Sequence, residues 1–125
     1  ERIDHGVQSI HDAALMQRLA RARVPLTVCP LSNQKLCVFP DLADHNIGAL
    51  LDAGLCVTIN SDDPAYFGGY MNENFVQTFA ATGLTAQQAY QLAANSFEAS
   101  FISEAQRHHW MHELKVCFER FVEHD

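Results

Sequence analysis

Three short strand candidates separated by helix-like segments constrain this chain more than any other feature. They span residues 1–5, 25–29 and 56–60. They end at His5-Gly6, at Cys29-Pro30 and at Ser61-Asp62-Asp63. Their ends fall about 24 and about 33 residues apart, near the ~30-residue length of a β-α-β unit. The third run contains Val57-Thr58-Ile59, three β-branched residues in a row, as expected of a strand buried on both faces. Alternating strand and helix predicts a parallel sheet with covering helices, hence an α/β fold.

The intervening segments carry helix signals. Ser9-x-x-Asp12 reads as a capping box, with Leu15, Leu19 and Ala22 on one face. Arg18, Arg21 and Arg23 follow near the end of that helix, where they suit its dipole. Residues 31–46 read as a long loop before a short helix at 47–53, which Gly54 stops. The second half is helical. One helix is expected at 72–81, and Thr85-x-x-Gln88 caps another with Tyr90, Ala93, Phe97 and Phe101 on one side. Ser103-x-x-Gln106 caps a last helix, with Met111, Leu114, Phe118 and Phe121 inward. There is no repeat or linker, so one domain is expected.

Bulk properties exclude several function classes. A chain of 125 residues with 48% hydrophobic content can bury a core and is not disordered. A net charge of −7 disfavours nucleic acid or an anionic membrane surface as partner. No apolar run approaches the roughly 20 residues of a membrane span. Cys29, Cys37, Cys56 and Cys117 form no C-x-x-C pair, which argues against a zinc ribbon. They read as reduced thiols in a cytoplasmic protein, with Cys29 and Cys56 buried as small hydrophobes.

The residues with chemistry fall just after strand ends, the edge that carries active sites in α/β barrels and open parallel sheets. Three strands cannot close a barrel, which needs eight strands and ~250 residues. The chain is therefore a small open α/β domain or the last part of a barrel. A strand at residue 1 with no initiator Met favours the second. Asp62 can ligate a metal through a carboxylate oxygen. His5 can polarise or deprotonate a metal-activated water. Asp63 can hold a polar ligand atom. Against this stands an ordinary Asp-Asp-Pro turn and a structural histidine. A non-catalytic α/β binding module with a Mg2+ site at Asp62 and Asp63 is the competing class. It would need acids after its first strand and a Lys on a later strand, whereas Lys35 and Lys115 lie outside every strand candidate. His108, His109 and His112 read as a solvated helix face, and His11 and His45 as surface residues. Ser32 and Asn33 read as ordinary loop residues.

Three stretches taken together resemble the adenosine/adenine deaminase family. They are Glu1-Arg2-Ile3-Asp4-His5-Gly6, Cys29-Pro30-Leu31-Ser32-Asn33, and Asn60-Ser61-Asp62-Asp63-Pro64-Ala65-Tyr66-Phe67-Gly68-Gly69-Tyr70. Asn95-Ser96-Phe97 in the helical tail extends the likeness. Asp4, Pro30-Leu31-Ser32-Asn33 and the Ala65–Tyr70 extension resemble the adenine deaminase branch most. The resemblance implies a zinc-bearing (β/α)8 barrel, with this chain as its sixth to eighth strands and C-terminal helices. It puts the zinc-binding aspartate on Asp62, the purine-binding aspartate on Asp63 and the catalytic histidine on His5. The other zinc ligands, all histidines, and the glutamate proton donor would lie upstream of Glu1. One Zn2+ per enzyme, a small-molecule purine substrate and hydrolytic deamination of adenine to hypoxanthine and ammonia are the implied expectations. Adenosine to inosine is the alternative. The isolated chain is expected to be inactive. Tyr66, Phe67 and Tyr70 are read as packing aromatics before pocket residues.

Overall fold

The computed structural model describes residues 1–124. Three strands form one parallel sheet in the order β1-β2-β3: β1 is Ile3–Asp4, β2 is Leu26–Val28 and β3 is Val57–Ile59. Ile3 stands opposite Leu26, and Leu26 opposite Val57, so successive strands are in step across the sheet. Each strand is shorter than the segment expected for it. The fully buried side chains of Leu26, Val28, Val57 and Ile59 form the centre of the core with Ile47, Leu50, Leu55 and Leu92. β3 is buried along its whole length, as its β-branched sequence requires.

The first crossover runs through a 3₁₀ turn at Val7–His11 and helix α1, Ala13–Arg21. The expected capping box does not form there. Ser9 lies in the 3₁₀ turn and donates its hydroxyl to the Gly6 carbonyl, while Asp12 caps α1 by accepting from the Leu15 N–H. Of the expected inner face, Leu19 is buried and Leu15 is exposed.

The second crossover corrects the long loop expected at 31–46. It holds helix α2, Pro30–Lys35, a 3₁₀ turn at Leu42–Asp44, and helix α3, Ile47–Asp52. Pro30 occupies the first turn of α2, where its missing N–H has no intrahelical partner to lose. After β3 come a one-turn helix α4, Pro64–Phe67, and then α5, Met71–Thr82; α4 was not expected from sequence. Asn74 of α5 donates to the Gly69 and Tyr70 carbonyls and accepts from the Leu31 N–H. This ties the turn after β3 to the start of α2. A Cβ at Gly69 would meet the Leu31 side chain, which would have to shift to admit any larger residue.

Helices α6, Ala86–Ala99, and α7, Glu104–Glu123, both begin with reciprocal capping boxes, at Thr85/Gln88 and Ser103/Gln106 as expected. α6 packs on β3, and the Asn95 amide donates to the Val57 carbonyl at 2.8 Å. Two expectations fail here. Phe101 lies beyond α6 and is exposed, its ring covered by the Arg2 guanidinium. No residue of α7 is buried, and Phe121 is exposed. α7 lies against α6 through partly covered contacts such as Tyr90 with Phe118. Tyr66 and Tyr70 are exposed and do not pack in the core, whereas Phe67 does.

Candidate active site

The site lies at the C-terminal edge of the sheet. The His5 N–H donates to the Thr27 carbonyl and so completes the β1–β2 ladder, after which the chain turns at Gly6. Gly6 has φ 78°, and a Cβ there would stand 2.7 Å from Leu26 Cδ2. The turn therefore needs glycine both for its conformation and for its closeness to β2. At the end of β3, the Asn60 N–H donates to the Val28 carbonyl, and its side-chain amide reaches the same oxygen and Thr58 Oγ1. This fixes the departure of Ser61-Asp62-Asp63.

Among the described residues, four that are not glycine have positive φ: His5, Arg23, Cys37 and Asp62. Arg23 and Cys37 follow helix ends, where a left-handed residue is ordinary. His5 and Asp62 instead follow strands, each at φ 58°. Side chains in that region cost roughly 1–2 kcal/mol each, and such strain tends to cluster at working sites.

The two strained residues face one another. His5 Nε2 lies 3.8 Å from Asp62 Oδ2, with side chains 39% and 32% exposed. Ser32, fully buried at the start of α2, donates its hydroxyl to the same Asp62 oxygen at 2.7 Å. His5, Cys29 and Asp62 bring one donor atom each to within 4.8 Å of one another. Burial, reinforced by the charges of Asp62 and Asp4, pushes the Cys29 thiol up to about 12. It is thus protonated at neutral pH, and its sulfur lies 3.4 Å from the Thr27 carbonyl oxygen. The Asp62 carboxylate is the donor that suits a borderline divalent ion, with the His5 imidazole beside it. A polar cleft of about 410 Å³ opens over them, lined in part by Arg2, Asp4, Thr27, Asn60 and Ser61.

Of the three residues expected at the site, His5 and Asp62 line this cleft together. Asp63 stands beside it as the N-cap of α4, its Oδ1 accepting from the Tyr66 N–H at 3.2 Å. His108, His109 and His112 are exposed on α7, far along the chain from the cleft. The sequence reading missed Ser32, Asn33 and His45. Asn33 and His45 are buried, which corrects the surface placement of His45. The Asn33 amide nitrogen is 3.4 Å from His5 Nδ1, and His45 Nε2 is 3.0 Å from Asn33 Oδ1. The Pro30 N1 signal could have placed Ser32 and Asn33 on a helix at the strand end. Nothing local to His45 signals its burial.

A parallel sheet with its polar side chains at the C-terminal strand edge defines the class: part of a (β/α)8 barrel. The chain belongs to the adenosine deaminase family, whose model matches residues 1–116. It is 65% identical to an adenine deaminase of Albidiferax ferrireducens over 97% of this chain and 35% of that protein. It is 60% identical to an adenine deaminase of Geotalea uraniireducens over 100% of this chain and 36% of that protein. The crystal structure of an adenine deaminase from Arthrobacter aurescens superposes with a TM-score of 0.92 at 44% identity, over 95% of this chain and 36% of that one. An amidohydrolase from Burkhoderia ambifaria, solved with bound Zn, shares the fold at a TM-score of 0.87 and 22% identity, covering 98% and 34%. The chain thus spans about a third of the length of the relatives it matches. The expected barrel class and family are both borne out. Among the described residues, no helix is long and apolar enough to cross a membrane.

Proposed function

We propose that this chain is the C-terminal segment of a single deaminase barrel that hydrolyses adenine to hypoxanthine and ammonia in the cytoplasm. The observation that carries this reading is the meeting of His5 and Asp62 across one sheet edge, in a chain 65% identical to an adenine deaminase. The names of the relatives favour adenine over adenosine as substrate.

In this reading Asp62 offers a carboxylate oxygen to one Zn2+, and the remaining ligands and the glutamate proton donor lie outside residues 1–125. The zinc reported in the Burkhoderia amidohydrolase and the Asp62 carboxylate held at the strand edge here support that assignment. When bound, the ion would supply a water whose pKa falls from ~15.7 toward ~7. The Ser32 hydroxyl holds the Asp62 carboxylate in place. His5 lies where it can orient the incoming oxygen and stabilise charge as water adds to the purine C6. Asp63 takes a hydrogen bond from the purine. A proton passes to a ring nitrogen, the C6–N bond breaks and ammonia leaves, which balances adenine plus water against hypoxanthine plus ammonia.

The test uses the complete enzyme, with ultraviolet absorbance for adenine turnover and metal analysis in parallel. Asp62→Ala is expected to lose zinc and activity together. A variant that keeps its zinc would remove Asp62 from the ligand set.

A further inference from the structure

The hydrogen bonds behind His5 have a direction, and a backbone group sets it. The Ile47 N–H points at His45 Nδ1 over 3.1 Å. A backbone N–H can only donate, so His45 Nδ1 must accept and carries no proton. The proton of neutral His45 is then on Nε2, 3.0 Å from Asn33 Oδ1. With its oxygen engaged as acceptor, Asn33 presents its NH2 to His5 Nδ1 at 3.4 Å. That nitrogen accepts in turn, which leaves the His5 proton on Nε2, the atom that faces Asp62 and the cleft.

We propose that His45 and Asn33 are positioning residues that fix His5 as its Nε2–H tautomer, so that His5 works as a hydrogen-bond donor and not as a general base. A neutral imidazole with its lone pair held by Asn33 has no free pair at Nε2 with which to take a proton from water. It can donate to the oxygen that adds to the purine carbon, and that bond strengthens as charge builds on the oxygen. The role is thereby read from wiring, where the residue type alone permits either role.

Burial supports the polarity of the relay. His45 is 6% exposed and Asn33 3%, so water does not compete for their hydrogen bonds. The Phe39 ring lies 4.4 Å from the His45 ring, centre to centre. Burial holds His45 down to about 4, so the imidazolium, which would donate from both nitrogens and clash with the Ile47 N–H, is absent at neutral pH.

The proposal rests on the deaminase reading for its kinetic consequences, but the tautomer can be read without turnover. In the complete enzyme labelled with 15N-histidine, long-range 1H–15N correlation is expected to show His5 and His45 protonated on Nε2 alone. A His5 protonated on Nδ1 would overturn the proposal whether or not the enzyme deaminates adenine. Absence of turnover with the expected tautomer would instead count against the function alone.

Three variants test the relay. Asn33→Asp replaces the donor with a carboxylate, which still accepts from His45 but requires a proton on His5 Nδ1. It is expected to flip the His5 tautomer and lower kcat roughly 100-fold, the size typical of a lost oxyanion donor, with KM little changed. His45→Phe keeps a ring against Phe39 but removes the donor to Asn33, and kcat should fall roughly tenfold. His45→Gln restores an amide donor near the same place and should recover most of that loss. A flipped tautomer at full kcat, or a Gln variant as impaired as the Phe variant, would refute the relay. If the Phe variant does not fold, the tautomer of the parent enzyme and of Asn33→Asp still decides.

Discussion

Asp63 carries two demands on one side chain. Its Oδ1 accepts the Tyr66 N–H and so caps α4, while the proposed chemistry asks its carboxylate to hold a purine. Two substitutions separate these demands. Asn caps a helix as well as Asp does, but it brings no charge. Asp63→Asn is expected to leave the unfolding midpoint unchanged and reduce adenine turnover, with zinc still bound. Asp63→Ala should lose the same activity and also destabilise by about 1 kcal/mol, the usual cost of a lost cap. Zinc analysis, urea unfolding and absorbance assays on the complete enzyme read the three quantities. Full turnover by Asp63→Asn would leave Asp63 as a cap only. The sequence made Asp62 and Asp63 legible because charge directly after an apolar run stands out. Asn33 and His45 were not legible, because their importance comes from each other. They lie 12 positions apart, and only the path of α2 and the following turns brings them together.

Helices α6 and α7 show which elements sequence can reveal. A capping box is local: Thr85 and Gln88 need only each other, so the pattern in sequence became the same contact in structure. Ser9-x-x-Asp12 offered the same pattern and failed, because Asp12 itself is the better cap and Ser9 bonds backward to Gly6. Inner faces were less legible than helix starts. The periodic apolar residues Met111, Leu114 and Phe118 of α7 are only partly covered and Phe121 is exposed, because α7 touches little besides α6 among the described residues. α6 supports the strand that leads to Asp62, because Asn95 takes the edge carbonyl of β3 at Val57 and is itself held by Arg23 and Gln91. Asn95→Ala leaves that buried carbonyl without its donor. A loss of about 1–3 kcal/mol follows, measurable as a lowered urea midpoint of the complete enzyme. A midpoint unchanged within error would show that packing alone seats β3 against α6.

At the scale of the whole molecule, the chain has half a cleft and an open sheet. β1 pairs with β2 on one side, and among the described residues nothing pairs with its other side. Beside it runs a second hollow lined by Ile3, Val7, Leu15, Leu19, Leu26 and Val38. Ile3, Leu15 and Val38 are each exposed by more than a third. An unpaired edge next to an apolar hollow invites association with other chains. The 125-residue chain alone is therefore expected to bind a hydrophobic dye and to self-associate at concentrations where the complete enzyme does not. It is also expected to leave adenine unchanged with zinc present. Asp62, His5 and the protonated Cys29 are the donors that meet at its cleft among the described residues. One carboxylate and one imidazole that is itself held as a donor do not complete a catalytic zinc site, which takes at least three protein ligands and a water. Adenine turnover by the purified 125-residue chain, lost again on Asp62→Ala, would mean that these residues suffice. The account of a site shared with the rest of a barrel would then fail.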